Sequence, residues 1–545
     1  MKEWWQKAVI YQIYPRSFKD STNNGIGDLR GIISKMNYIK DLGIDAIWFS
    51  PFYPSPQEDF GYDITDYEGI NPEYGTMNDF DELIDKAHSI GIKIILDMVL
   101  NHTSDKHPWF LESRSNKTNP KRNWYIWKDG TGNGKKKPPN NWKAIIGGSM
   151  WELDNQTNQF YLHQFLPCQP DLNWRNPEVQ ETLFNSIQFW LDKGVDGFRL
   201  DIIHTLFEDK EFRNNPRSRQ LLPSPDRNAS LFQTPKYTQF LPETIDMCKR
   251  LRKLVDSYDP PRVLVGEAVG GPLIFRALYG EKNDGLHMVF NFKLKNPPFS
   301  AAKIRDYIQE IETILPDPYW PCFTLSNHDE VRMISRYGNN EKKARLMVFL
   351  LLTLRGTPVI YYGEEIGMRQ VKIKKKQQKD PIANLKFFGF PLGKFFARDG
   401  CRTPMQWTNS LINAGFSSDP YVVPWLPIGL KSDLVNVDSQ LKDKNSMFHF
   451  YKNIIHLRKK EKVLIEGTID NIHILNKNCL TFERKNNAER LLLVLNFNKK
   501  LTQIKNPDPS STIIFSTIDL AISIKTTNTL VLKPYEGYLL KHESY

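Results

Sequence analysis

Two residues apart on one short apolar run, Arg199 and Asp201 sit in the stretch GVDGFRLD, residues 194–201. Alternate residues of a strand point the same way, so this guanidinium and this carboxylate are expected to face one cavity. An isolated Arg-x-Asp reads as a structural ion pair, but three other apolar runs end in residues of the same kind. DMVLNH carries Asp97, Asn101 and His102, VGEA carries Glu267, and SNHDE carries Asn327, His328 and Asp329. Carboxylates gathered in one place repel one another and are costly to hold, so a purely structural protein has little reason to assemble them. Cleavage of a glycosidic bond does need them. One carboxylate attacks the anomeric carbon, a protonated one gives its proton to the leaving oxygen, and negative charge supports an oxocarbenium-like transition state.

The elements that must position these residues follow from the pattern around them. Short apolar runs at 9–14, 46–49, 93–99, 197–202, 263–267, 287–292, 323–326 and 359–362 read as strands buried on both faces. Helical patterns such as 79–88, 305–314 and 341–354 lie between them. Eight strands alternating with helices predict a (β/α)8 barrel, in which functional residues come from the C-terminal ends of the strands. A doubly wound sheet is the competing architecture, but no glycine-rich phosphate loop follows any strand. The predicted barrel occupies residues 1–101 and 174–464. It is interrupted after its third strand by a small inserted domain, 102–173, rich in Asn, Gly, Lys and Trp. A second long basic excursion, 369–445, follows the eighth strand, and a helix at 447–459 closes the barrel. From residue 465 short alternating runs (473–475, 491–497, 512–515, 529–532) predict an all-β sandwich domain to residue 545.

A chain of 545 residues with 40% hydrophobic and 12% aromatic content can bury large cores and calls for more than one domain. The net charge of +11 comes from scattered lysines, with short runs at 135–137 and 372–376. No nucleic-acid motif accompanies them, so a solvated surface is expected rather than a nucleic-acid partner. Five cysteines without a close pair exclude the usual cysteine-rich zinc spacings and fit a reducing compartment. No secretory signal is visible and the longest strongly apolar run, 347–354, is too short to span a bilayer. The expectation is a cytoplasmic protein with no membrane partner.

DMVLNH, GFRLD, VGEA and SNHD, in this order, resemble the motif set of the α-amylase superfamily, glycoside hydrolase family thirteen. QPDLN (169–173), WWQKAVIYQIYPRSF at the start, FGYDITDY, YYGEEIGM and RTPMQW resemble its α-glucosidase and oligo-1,6-glucosidase branch. The resemblance covers essentially the whole chain. It implies Asp201 as nucleophile, Glu267 as general acid/base and Asp329 as transition-state stabiliser holding sugar hydroxyls. Arg199 then keeps the nucleophile ionised and oriented, a task that bidentate geometry suits. His102 and His328 correspond to histidines that hydrogen-bond the terminal glucose, Tyr62 to the aromatic platform beneath it, and Phe165 to a second aromatic contact. Asp59 and Arg402 correspond to a pair that walls off the pocket behind the non-reducing sugar, which confines cleavage to chain ends. Ile202, directly after the nucleophile, borders the leaving group and is expected to influence linkage preference, with His204 on the same side. A nucleophilic mechanism expects the two carboxyl groups about 5–5.5 Å apart.

The chain departs from the branch at two places. Ile146 stands where relatives often carry a Phe near the sugar. The loop 20–28, DSTNNGIGD, resembles a metal loop that is more acidic in many relatives. Asp20, Asn24, the Ile26 carbonyl and Asp28 offer oxygen ligands for a structural Ca2+ or Mg2+, and a bare Gly/Asn-rich turn is the alternative. No cofactor is required for the chemistry. The activity implied is a retaining exo-α-glucosidase acting on small α-glucosides of the maltose, isomaltose or sucrose class. A sucrose isomerase or α-glucosyl transferase would use the same site. The non-catalytic relative, the heavy-chain subunit of amino-acid transporters, predicts a membrane anchor and a degraded site, and neither is present in this sequence. Oligomeric state is not legible here.

Overall fold

The computed structural model describes residues 2–221, 232–295, 298–384, 393, 397–409, 412–429, 431–519 and 523–542. Eight parallel strands close into a barrel: β1 (Ile10–Ile13), β2 (Ala46–Phe49), β3 (Lys93–Met98), β7 (Gly197–Leu200), β8 (Val263–Gly266), β9 (Met288–Asn291), β10 (Cys322–Thr324) and β11 (Thr357–Tyr361). These are the eight runs read as strands: Ala46–Phe49 is unchanged, five are trimmed at one or both ends, and the last two start one and two residues earlier and end sooner than read. Their buried residues are almost all apolar, as expected when helices cover the outside and a second packed layer fills the inside. That inner layer contains Ile10, Trp48, Ile95, Val265, Phe290 and Val359, all close to fully buried. Helices supply the outer shell, among them Met77–Ser89, Pro177–Asp192, Ala301–Ile314 and Glu341–Thr353.

Between β3 and β7 the excursion folds into a three-stranded antiparallel sheet, β4 (Trp127–Lys128), β5 (Trp151–Asp154) and β6 (Gln159–Leu162), with β6 in the middle. Trp142, Trp151, Phe160 and Leu162 give it a core of its own. The chain returns to the barrel through a bridge between His102 and Asp171, which brings QPDLN beside the end of β3.

The excursion after β11 is mostly irregular, with single turns at Lys375–Gln377, Pro381–Asn384 and Asp399–Cys401, and part of it lies outside the described residues. Helix Met447–Lys460 then packs back on the barrel. The C-terminal segment forms a six-stranded antiparallel sheet from β12 (Thr468–Leu475), β13 (Cys479–Lys485), β14 (Arg490–Asn496), β16 (Ser511–Ser516), β17 (Ile524–Lys525) and β19 (Gly537–His542). A two-stranded sheet, β15 (Thr502–Lys505) with β18 (Thr529–Leu532), accompanies it. Alternation along β14 explains the layering. Leu492 and Val494 meet Ile504, Leu530 and Leu532 of the small sheet, while Leu491, Leu493 and Leu495 face the core shared with the barrel. Among the described residues no helix is long and apolar enough to cross a membrane.

Candidate active site

The register of the barrel puts Asp97 beside Arg199, and Arg199 beside Val265. Parallel pairing continues just past the strand ends. The Asp201 amide donates to the Met98 carbonyl (3.0 Å) and the Glu267 amide to the Leu200 carbonyl (2.9 Å). Two carboxyl groups are thereby hung at one level on neighbouring strand ends, above a buried guanidinium. Arg199 Nη1 lies 2.7 Å from Asp97 Oδ1 and 2.5 Å from Asp201 Oδ1, and its Nη2 pairs with Glu267 Oε2. One guanidinium fork thus collects both carboxyls.

The electrostatics separate the acids. Burial pushes the Glu267 carboxyl up to about 8, against the pull of Arg199, with Asp201 and Asp329 adding to the rise. Burial also raises Asp201, to about 6, where Arg199 opposes the rise and Asp97 reinforces it. The rise is larger for Glu267 than for Asp201. Asp329 goes the other way. Burial acts against its ionisation, but His328, Arg398 and Arg402 outweigh it and hold this carboxyl well below the usual carboxylate range. Arg398 Nη1 and Arg402 Nη2 lie 3.2 and 2.9 Å from Asp329 Oδ1, and His328 Nε2 lies 3.2 Å from its Oδ2.

His328 is fixed from behind. Gln12 Nε2 lies 2.7 Å from its Nδ1, which places the ring proton on Nε2, facing Asp329 and the Tyr62 hydroxyl at 2.6 Å. Burial lowers His328 to about 3 and His102 to about 4, so both are neutral at pH 7. The Tyr62 ring stacks on His328 at 5.4 Å, and its hydroxyl donates to Asp97 Oδ2 at 3.1 Å. His102 Nε2 donates to the Tyr62 carbonyl (3.1 Å), and the Phe165 ring lies 5.4 Å from the His102 ring.

A cavity of about 300 Å³ opens over this cluster. Its lining includes Asp59, Tyr62, His102, Phe165, Asp201, Ile202, Glu267 and Asp329 from the sequence-based set. Arg199, His328 and Arg402 stand behind that lining as supports. Ile146 is also in the lining, at the position where an aromatic contact was in question.

The end wall needs a correction. Asp59 does not pair with Arg402; its partner is Arg398, whose Nη2 lies 2.6 Å from Asp59 Oδ1. Arg402 is fully buried, donates through Nε to the His328 carbonyl (2.7 Å) and reaches Asp329. The turn Asp399–Cys401 sends the two arginines to different depths, Arg398 to the cavity and Arg402 beneath it. Asp380 locks Arg398 in place, accepting from its backbone amide (2.6 Å) and from Nε and Nη2 (2.9 Å each).

A second correction concerns His204. The chain leaves β7 at Leu200, and Ile202 adopts φ +36°, ψ +40°, followed by a 3-10 turn at Ile203–Thr205. Strand alternation therefore stops before it reaches His204. That ring is fully buried against Phe240 (4.7 Å) and is not part of the lining. Ile202 does line the cavity.

The loop 20–28 does not offer a cation cage. Asp20 Oδ1 accepts from the amides of Thr22 (3.0 Å) and Asn23 (2.8 Å), and Oδ2 from the Gly25 amide (2.9 Å) and the Ser417 hydroxyl (2.6 Å). Asp28 caps the helix Leu29–Ile33 through the Gly31 amide (2.6 Å) and also accepts from the Ser21 amide (2.7 Å). Asn24 Oδ1 takes the amide of Ile26 (2.8 Å). Asp20, Asn24, Ile26 and Asp28 thus form a turn whose acidic oxygens are filled by N–H and O–H donors, which does not fit a bound Ca2+ or Mg2+. No group of three or more His, Cys, Asp or Glu side chains among the described residues could hold a metal ion.

Sequence reasoning left several lining residues without a role. Gln169 lies within QPDLN; its Nε2 donates to Asp59 Oδ2 (3.2 Å) and lies 3.1 Å from His102 Nε2. Leu166, Val269, Ile382 and Arg398 complete the lining. The only sequence signal for Arg398 was a second arginine four residues before Arg402.

Comparison with known proteins agrees with this fold. The family model for the alpha-amylase catalytic domain matches residues 12–467. The oligo-1,6-glucosidase of Parageobacillus thermoglucosidasius is 38% identical, with 99% of each chain covered. A probable alpha-glucosidase of Rhizobium meliloti is 40% identical over 91% of this chain and 90% of its own. The solved structure of the alpha-glucosyl transfer enzyme XgtA superposes with a TM-score of 0.91 at 38% identity, with both chains fully covered. The chain belongs to the alpha-amylase catalytic-domain family and is a glycoside hydrolase of the α-glucosidase type.

Proposed function

We propose that the protein is a retaining, exo-acting α-glucosidase that removes terminal non-reducing α-D-glucosyl units from disaccharides and short oligosaccharides. The observation that carries this reading is the division of protonation in one cavity. Glu267 is raised to about 8 while Asp201 lies lower, both on the Arg199 fork, and Asp329 is held ionised beside the Asp59–Arg398 wall. Asp201 attacks the anomeric carbon, and the bond to the leaving oxygen breaks as Glu267 transfers its proton to that oxygen. Glu267, now a carboxylate, takes a proton from the incoming water, whose oxygen bonds to the anomeric carbon as the ester to Asp201 breaks. Asp329 carries negative charge next to the developing oxocarbenium and accepts from sugar hydroxyls.

The wall limits how far a chain can extend past the terminal glucose, so long starch is a poor substrate and maltotriose gives glucose and maltose. Early-time NMR on maltose tests the mechanism: α-glucose is expected first, and β-glucose first would overturn it. Transfer of the same glucosyl group to another hydroxyl, as in a sucrose isomerase or α-glucosyl transferase, is the second reading. It is favoured by the close superposition on a glucosyl transfer enzyme. Product analysis on sucrose separates the two. The five free cysteines suit a reducing, cytoplasmic location.

A further inference from the structure

The segment YYGEEIGM, 361–368, gives no side chain to the cavity, yet it carries two buried acids, Glu364 and Glu365. They leave β11 in different directions. Glu365 Oε1 accepts from the hydroxyls of Tyr11 on β1 (2.8 Å) and Tyr38 on the helix Met36–Leu42 (2.7 Å). Glu364 reaches toward the other neighbouring strand, β10, where its Oε1 accepts from the Ser326 hydroxyl. The turn that aims Glu364 is tight. Its amide donates to the Tyr361 carbonyl (3.0 Å), its Oε2 takes the Tyr361 amide (3.4 Å), and Gly363 adopts φ +82°.

Ser326 lies past the end of β10, where no strand ladder holds the chain, and shortly before Asp329. Its oxygen also accepts from the Met333 amide (3.4 Å). One hydroxyl group therefore ties together both ends of the loop 326–333, with Asp329 near the middle, and fastens them to Glu364. Arg336 holds the same loop from outside, through the carbonyls of Leu325 and Val331 (2.6 Å to the latter). Burial pushes the Glu364 carboxyl up to about 7, with Ser326 and Arg336 pulling the other way. A hydrocarbon side chain would fill this space without the cost of burying a carboxyl. What the acid adds is an acceptor for Ser326 across the gap between two strand ends.

We propose that Glu364 is a positioning residue for the reaction: through Ser326 it sets the height of the loop 326–333 above the barrel, and hence where Asp329 meets the sugar. This role rests on the reading of Asp329 as the carboxylate that stabilises the oxocarbenium-like transition state. Misplacing such a group by about 1 Å costs up to roughly 100-fold in rate. Its charge counts most when positive charge develops on the sugar, so the loss falls on kcat more than on KM.

The test uses the full-length enzyme on maltose. Binding is measured by calorimetry with glucose and with 1-deoxynojirimycin, in which a protonated amine replaces the ring oxygen. Asp329→Asn is the reference. An inactive parent, or full activity in Asp329→Asn, overturns the reading of the site and the role of Glu364 with it. With that reading established, Glu364→Met and Ser326→Ala decide the proposal separately. Each is expected to lower kcat by about 10–100-fold and to weaken the amine by a similar factor, with KM and glucose affinity within about threefold. The double variant is expected to lose no more than the worse single one, because both remove the same link. Glu364→Gln keeps an acceptor for Ser326 and is expected to recover most of the kcat lost in Glu364→Met. Glu365→Gln, equally buried in the same turn, is the control, and is expected to lower Tm while leaving kcat within about twofold. A lowered Tm with kcat unchanged in Ser326→Ala, additive losses in the double variant, or equal weakening of the amine and glucose overturns the proposal. If Glu364→Met fails to fold, Ser326→Ala still decides it.

Discussion

At the scale of single residues, the site works by giving chemically similar carboxyls different environments. If Asp201 must be ionised and Glu267 protonated, activity rises as pH increases through about 6 and falls as it passes about 8. Because the two groups share Arg199, the limbs of kcat/KM belong to the cluster rather than to either residue alone. Glu267→Gln cannot donate a proton. It is expected to lose the alkaline limb on an activated aryl glucoside while losing far more rate on maltose, whose leaving group needs protonation. A pH profile on p-nitrophenyl α-glucoside checks this, and an unchanged alkaline limb would assign that limb elsewhere. The arginines are separable too. Removing one member of a buried ion pair costs about 3–5 kcal/mol. Arg398→Ala and Arg402→Ala should therefore both lower kcat on maltose by weakening Asp329. Only Arg398→Ala also unpairs Asp59, so only this variant should gain relative activity on longer maltodextrins. Comparing the ratio of maltohexaose to maltose activity for the two variants checks the reassigned wall. The three carboxyls that line the cavity, Asp201, Glu267 and Asp329, were legible in the sequence because they occupy the ends of apolar runs. The choice between Arg398 and Arg402 was not, because a single irregular turn decides which guanidinium reaches the cavity.

At the scale of elements, the strands were legible and the turns that follow them were not. A run such as Lys93–Met98 is identified by composition alone, since a strand covered on both faces must be apolar. The exit from β7 carries no such signal. Nothing in RLDIIH announces that Ile202, a β-branched residue, takes a left-handed conformation, which costs on the order of 1–3 kcal/mol and clusters at functional sites. The turn takes the chain abruptly out of the strand, which buries His204 and leaves Ile202 in the lining beside Asp201. This sharpens a prediction about linkage. Thr is also β-branched, so Ile202→Thr keeps much the same backbone strain and changes mainly the chemistry facing the leaving group. With an apolar Ile202, isomaltose is expected to be cleaved alongside maltose, and Ile202→Thr should lower the isomaltose-to-maltose ratio of kcat/KM by roughly tenfold, within the range for small changes in an apolar pocket. An unchanged ratio would move the determinant to the inserted sheet or to the loop after β11. Two inner strands of the C-terminal sheet were equally hard to read: Cys479–Lys485 and Gly537–His542 run from buried residues into charged ones, without an even alternation.

For the whole molecule, the question is what ties the C-terminal sheet to the barrel. Part of the answer is hydrocarbon: Phe515 stacks on Phe349 at 5.8 Å and meets Phe450 at 5.9 Å, extending the barrel's outer core into the sheet. The rest is an arrangement of two fully buried arginines that no carboxylate among the described residues pairs with directly. Arg458, on helix Met447–Lys460, donates to the carbonyls of Leu352 (2.8 Å), Leu354 (3.1 Å) and Gly356 (2.6 Å). Arg484, on β13, donates to Thr353 (2.5 Å), Leu464 (2.8 Å), Gly467 (2.8 Å) and Thr468 (3.1 Å). Carbonyls at the C-terminal end of helix Glu341–Thr353 lack intrahelical donors and carry the negative end of its dipole, so two cations satisfy them and bind three elements together. Burial lowers Arg484 well below the usual range for arginine and Arg458 to about 10, which records the cost of holding charge there. Arg484→Met keeps the bulk but leaves backbone acceptors that no other substitution can remove, each unsatisfied one worth about 1–3 kcal/mol. The expected outcome is loosening of the sheet from the barrel rather than loss of the site. In calorimetry, a multidomain chain of this kind should then show a separate, earlier transition, and limited proteolysis should cut first between residues 465 and 478. Initial rates on p-nitrophenyl α-glucoside at 25 °C should stay within about twofold of the parent, since the substituted side chain touches no residue of the cavity. Lys485→Met, one residue along on an exposed position, is the control and should move neither readout. A single unchanged transition in Arg484→Met would mean that the apolar contact alone holds the two parts together.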